Sequence, residues 1–147
     1  MKKLLLILFA FLIICSFSRT ANAQDHSELV FQCALDAGKN TEYLKDYVVK
    51  LPEANSQDNI PTHKNTAILL KNTNYRLTIC NSGDSDGQCV IQLFNNGEKV
   101  ASSIAPSGKI YRSFDFQCKK TGSYQIWISF KDGKEGFAVG ILSFVNE

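Results

Sequence analysis

Between Ser123 and Phe130 the side chains alternate without a break. Tyr124, Ile126, Ile128 and Phe130 fall on one parity, and Gln125, Trp127 and Ser129 on the other. Successive side chains leave a strand on opposite sides, so a period of two marks a strand with one face buried. The same rhythm recurs along most of the chain. Lys45 to Leu51 puts Tyr47, Val49 and Leu51 together, and Tyr75 to Cys80 alternates Tyr75, Leu77 and Ile79 with Arg76 and Thr78. Further apolar segments are Ala67 to Leu70, Cys89 to Phe94, Glu98 to Ile104 and Phe137 to Val145. Lys109 to Gln117 sets Phe114 and Phe116 against Ser113, Asp115 and Gln117.

Turn chemistry separates these segments. Asn95-Asn96-Gly97 is a tight-turn signal, and Ala105-Pro106-Ser107-Gly108, Lys119 to Gly122 and Lys131 to Lys134 are further turns. Pro52 to Lys64 reads as an exposed loop. Short strands at this spacing predict an all-β fold, a single jelly-roll-like antiparallel β-sandwich of about eight strands over residues 44–147. Residues 24–43 form a separate N-terminal segment. There Ser27 can cap a short helix from Glu28 towards Asp36, stopped by Gly38, while a strand through Leu29 to Cys33 is the alternative.

Ahead of this domain, Lys2 and Lys3 precede an apolar run from Leu4 to Ile14, and Ala21-Asn22-Ala23 closes the segment. Those three parts predict a signal peptide, residues 1–23, cleaved after Ala23. The run is shorter than the roughly 20 residues that a membrane-spanning helix needs, so no permanent anchor is expected. Ile14 stands where a lipid-anchored cysteine would want a small residue, which argues against lipidation of Cys15. Cleavage removes Lys2, Lys3 and Arg19 but no acidic residue, and leaves thirteen basic residues against fourteen acidic ones. A near-neutral domain lacks the electrostatic footprint for nucleic acid. The expected address is periplasmic or extracellular.

Four cysteines follow the leader, Cys33, Cys80, Cys89 and Cys118. In an exported chain an even number reads as disulfides, and four allow three connectivities. Without a C-x-x-C pair, metal binding is the poorer reading. Cys80 and Cys89 flank a short polar turn, so Cys80–Cys89 is the expected bridge, leaving Cys33 for Cys118.

The order of several of these segments resembles a known domain. Tyr75-Arg76-Leu77-Thr78 is followed by Val90-Ile91-Gln92-Leu93-Phe94 and the Asn-Gly turn. Ser113-Phe114-Asp115-Phe116 and Thr121-Gly122-Ser123-Tyr124-Gln125-Ile126 come next. From Leu44 to Val145 the chain resembles the bacterial pre-peptidase C-terminal (PPC) domain, more distantly GOLD-like sandwiches, and also small secreted bacterial proteins of this length. The resemblance implies a non-catalytic binding or export module beside a secreted peptidase, some relatives binding calcium through acidic loops.

Candidate sites are few. Trp127 shares its strand face with Gln125 and Ser129, where it can stack on a sugar ring or anchor a partner protein, and Tyr111 can extend that surface. Cover by a loop or by the N-terminal segment is the alternative for Trp127. Asn81, Asp84 and Asp86 offer oxygen ligands for calcium, but EF-hand spacing is absent and a solvated turn is the better reading of them. For catalysis the inventory is thin: His63 with Asp58 and a serine is conceivable, but no nucleophile-elbow or other triad context appears. The expectation is therefore a non-enzymatic module for a protein, glycan or envelope component. A secreted hydrolase needs a cleft with His63 or clustered carboxylates. A structural assembly subunit needs self-association through an uncovered strand edge.

Overall fold

The computed structural model describes residues 21–146. The leader's basic start and apolar run, with Cys15, lie outside the described residues. Helix α1 (Ala21–Asp36) comes first. Eight strands follow: β1 (Thr41–Leu51), β2 (Thr62–Leu69), β3 (Asn74–Asn81), β4 (Cys89–Asn95), β5 (Glu98–Ser102), β6 (Ser113–Gln117), β7 (Gly122–Phe130) and β8 (Gly136–Val145). They form two four-stranded sheets, sheet I in the order β1-β8-β3-β6 and sheet II in the order β2-β7-β4-β5. All the pairings are antiparallel. This is an eight-stranded jelly-roll sandwich.

The alternation places the core. Tyr124, Ile126, Ile128 and Phe130 from sheet II meet Tyr47, Val49, Tyr75, Leu77 and Ile79 from sheet I, all buried. Each large apolar side chain taken from water contributes about 1.5–3 kcal/mol. The sheets approach closely at Gly140, where a Cβ would stand 2.9 Å from the Ile91 Cδ1. The Asn96-Gly97 turn joins β4 to β5 with φ of 49° and 83°, the paired positive values of a tight hairpin turn. Strand β1 opens at Thr41, so the sandwich takes in the end of the 24–43 segment. Strand β2 likewise begins inside the expected 52–64 loop.

The N-terminal segment is helical, and the helix extends further towards the N-terminus than a Ser27 cap would allow, so that cleavage after Ala23 would trim its first turn. Gly38, at φ 100°, ends the helical turn by donating from its N–H to the Leu35 carbonyl at 3.1 Å. Leu29, Val30, Cys33 and Ala34 press onto Cys80, Val139 and Ile141 on the outer face of sheet I. Arg112 pairs with Asp36. Arg76 donates to the Ala37 carbonyl at 2.9 Å while its Nε and Nη2 bind both carboxylate oxygens of Asp115.

The cysteine pairing differs from the expectation. Cys33 is bonded to Cys80, with Cα atoms 5.6 Å apart, and Cys89 and Cys118 are free and buried. The expected Cys80–Cys89 bridge assumed a hairpin, yet β3 and β4 belong to different sheets. Cys80 follows Arg76 and Thr78 onto the outer face under α1, whereas Cys89 faces the core with Ile91 and Leu93. The two sulfurs therefore sit on opposite sides of a sheet. With Cys33 bound to Cys80, Cys118 loses its expected partner and donates its thiol to the Lys120 carbonyl at 3.2 Å.

Candidate functional site

Strand β7 runs inside sheet II, with β2 on one side and β4 on the other. Trp127 faces outward because its neighbours Ile126 and Ile128 face the core. The register sets it beside Lys64 on β2 and Gln92 on β4. The Lys64 Nζ stands 3.9 Å from the indole centroid, close enough for a cation–π contact. The Phe94 ring packs against the indole at 4.4 Å between centroids. The indole Nε1–H donates to Gln125 Oε1 at 3.1 Å. The ring is thereby held half-buried, while the N-terminal helix lies on the other sheet. Lys64 and Phe94 complete the surface, and sequence reasoning missed both. They reach Trp127 from other strands, through a register that no single segment displays.

Tyr111 does not stand on a strand as expected. It was placed in a strand over 109–117, but β6 begins only at Ser113. Tyr111 lies in the connection from β5, where its N–H donates to the Ser103 carbonyl at 2.8 Å after a bridge between Ile104 and Ile110. It is half-exposed, with Lys109 Nζ 4.8 Å from its ring centroid, and no ring contact joins it to Trp127.

The acidic loop is built on Asn81. Its Oδ1 accepts the Cys89 N–H at 3.2 Å, and its Nδ2 donates to the Gly87 carbonyl at 2.6 Å. Both ends of the amide thus strap the crossing between the sheets. Asp84 and Asp86 line a cavity of about 310 Å³ with Lys50, Glu135 and His26, whose ring lies 4.5 Å from that of Phe137. Among the described residues no three His, Cys, Asp or Glu side chains come together as a metal would require.

His63 is exposed on β2, opposite Ile128. No hydrogen bond links it to Asp58 or to a serine among the described residues. The two free thiols are poor nucleophiles. Burial pushes the Cys89 thiol up to about 12, and Cys118 is enclosed beside the Tyr124 hydroxyl at 3.5 Å. Among the described residues no helix is long and apolar enough to cross a membrane.

The site and fold define a jelly-roll sandwich with one helix-covered sheet and one sheet that displays an aromatic cluster. No protein-family model matches the chain, and no curated protein matches it. Among solved structures it is similar to PliG of Aeromonas hydrophila, a periplasmic lysozyme inhibitor of g-type lysozyme. The identity is 13%, the match covers 73% of this chain and 88% of that one, and the TM-score is 0.46. It is also similar to the pre-peptidase C-terminal domain of a collagenase from Bacillus anthracis, with 15% identity, 67% and 87% coverage, and a TM-score of 0.47. The latter is a domain of the family that the Tyr75 to Ile126 pattern resembles.

Proposed function

We infer that this protein is an exported, non-catalytic binding module that engages a protein, glycan or envelope component through the outer face of sheet II. The observation that carries the reading is Trp127, held half-buried on the outward face between the Lys64 ammonium and the Phe94 ring. A large aromatic fixed by its neighbours loses little freedom when a ligand packs on it, and such residues dominate recognition surfaces. Export is supported by the three-part pattern of residues 1–23 and by a disulfide, which persists in oxidising compartments.

Trp127 is the only tryptophan in the chain, so its fluorescence reports on this face alone. Ligands found on a glycan array or in an envelope fraction should shift that emission on titration. Trp127→Ala should weaken their binding at least about tenfold, a loss of about 1.4 kcal/mol, with an unchanged far-UV circular dichroism spectrum. Ligands that bind wild type and Trp127→Ala equally would overturn the assignment of this face.

A further inference from the structure

We propose that the protein carries a second binding site, for a carboxylate-bearing sugar unit, in the cleft where the ends of the two sheets part. The site is separate from the Trp127 face. It is an open cavity of about 450 Å³ bounded by sheet II at Asn95, Asn96, Glu98 and Val100, and by sheet I at Phe116 and Gln117. Lys119 and Lys120, on the connection from β6 to β7, form its remaining rim. The volume falls in the range that small-ligand sites occupy, about 300–1,000 Å³.

Three features of the lining specify the ligand. The floor is apolar and ordered: the Phe116 ring meets the Tyr124 ring edge-on at 5.6 Å, and exposed Val100 lies beside them. Such a floor matches the C–H face of a pyranose ring and gives nothing to a bare inorganic anion. Asn96 and Gln117 line the walls with side-chain amides, whose paired donors and acceptors match sugar hydroxyls, while the Asn95 amide beside them bonds the Tyr124 hydroxyl. The rim holds two lysines against one acid, Glu98, so the cavity is net positive and rich in donors. Neither lysine is ion-paired among the described residues. Lys119 Nζ donates instead to Gln117 Oε1 at 2.5 Å, which leaves the Gln117 N–H₂ for an outside acceptor. A carboxylate is the acceptor that both the ammonium groups and the amide serve.

The charge has a counterpart. At the far end of the sandwich the cavity lined by Asp84, Asp86 and Glu135, with Lys50 and His26, carries the opposite sign. An acidic sugar is therefore drawn to the Lys119–Lys120 end and repelled from the other.

The test is a two-dimensional amide NMR titration of the exported protein with trigalacturonate, beside neutral galactotriose and inorganic phosphate. Trigalacturonate should move the amide signals of Asn95, Asn96, Lys119 and Lys120 and saturate at concentrations on the order of 1 mM. The double variant Lys119→Gln/Lys120→Gln should weaken that binding about tenfold or more, and Glu98→Gln should tighten it by removing a like charge. These side chains are exposed, and the spectra themselves report that the variants are folded. Absence of shifts at about 10 mM trigalacturonate, far above the expected constant, would overturn the site. Equal binding of galactotriose overturns the role of the lysines, and equal binding of phosphate overturns the sugar. Trp127 emission is read in the same samples, and an emission change without cleft shifts counts against the cleft alone.

Discussion

The outer faces of the two sheets are finished in opposite ways. On sheet I, Thr78, Cys80, Val139, Ile141 and Ser143 point away from the core yet are buried, with α1 packed across Cys80, Val139 and Ile141. On sheet II, Lys64, Thr66, Ile68 and Gln125 are exposed and Trp127 is half-buried, and among the described residues no helix packs above them. The strands record the difference. β8 reads Gly-Phe-Ala-Val-Gly-Ile-Leu-Ser-Phe-Val, nearly apolar throughout, as a strand buried on both faces must. β7 alternates strictly because only one of its faces is buried. One face is thus covered by α1 and the other left open.

The largest expected effect tests the cover on sheet I. The Cys33–Cys80 bridge spans 47 residues of sequence. In the chain-entropy model a loop of that size contributes about 4 kcal/mol, so Cys33→Ala/Cys80→Ala should lower unfolding free energy by about that amount. Hydrogen exchange should show α1 losing protection first while β7 keeps its own. Uniform loss across both sheets would break the comparison. Next in size is Ile141→Ala, beneath the helix and 1% exposed. It should cost about 2–4 kcal/mol in chemical denaturation, as a core truncation does, although the residue lies outside the sandwich interior.

The cysteine pairing shows where the sequence was legible and where it was not. Strand positions followed from turn chemistry and alternation, and even the hairpin at Asn96-Gly97 was signalled by its residues. What alternation within one strand cannot say is which sheet the next strand joins. The Asn81–Gln88 segment has the composition of a hairpin turn but crosses between sheets, and the expected Cys80–Cys89 bridge fell with that assumption. The correct side of Cys80 was nonetheless written in its parity with Arg76 and Thr78, opposite Leu77 and Ile79. The candidate site was legible to the same extent. Trp127's outward direction follows from its own strand, whereas Lys64 and Phe94 join it only through cross-strand register. Tyr111 lies ahead of β6, just after a bridge between Ile104 and Ile110 that pairs its segment with the end of the β5 connection instead.

A smaller effect concerns the anchoring of the C-terminal end of α1 and depends on pH. The Arg76 guanidinium, hydrogen-bonded to Asp115, holds that carboxyl below its ordinary range, against a smaller opposing push from burial. A depressed folded pKa stabilises the protein above the unfolded value and loses that contribution as pH falls through the folded one. Wild type should therefore exceed Asp115→Asn in stability at neutral pH and converge with it below about pH 4. Asp115 is half-exposed, so screening keeps the difference under about 1 kcal/mol. Denaturation midpoints measured from pH 7 down to pH 3 would show the convergence. A gap that stays constant with pH would mean that the pair acts by packing and not by charge.

The smallest expected effect lies on sheet II. Ile68 is 66% exposed on the outward face of β2, a strand that among the described residues pairs only with β7 at the edge of sheet II. Ile68→Lys removes little buried area, so the denaturation midpoint should move by no more than about 0.5 kcal/mol equivalent. This is the same kind of residue that costs several times more at Ile141, and the contrast isolates the helix as the cause. The consequence of Ile68→Lys should appear in association instead of stability. A charged side chain on an edge strand discourages strand-to-strand pairing between copies. Light scattering at high concentration should show less self-association than wild type at equal stability. A midpoint that falls with Ile68→Lys as far as with Ile141→Ala would mean that the outer face of sheet II is also packed, and the division between the two faces would be lost.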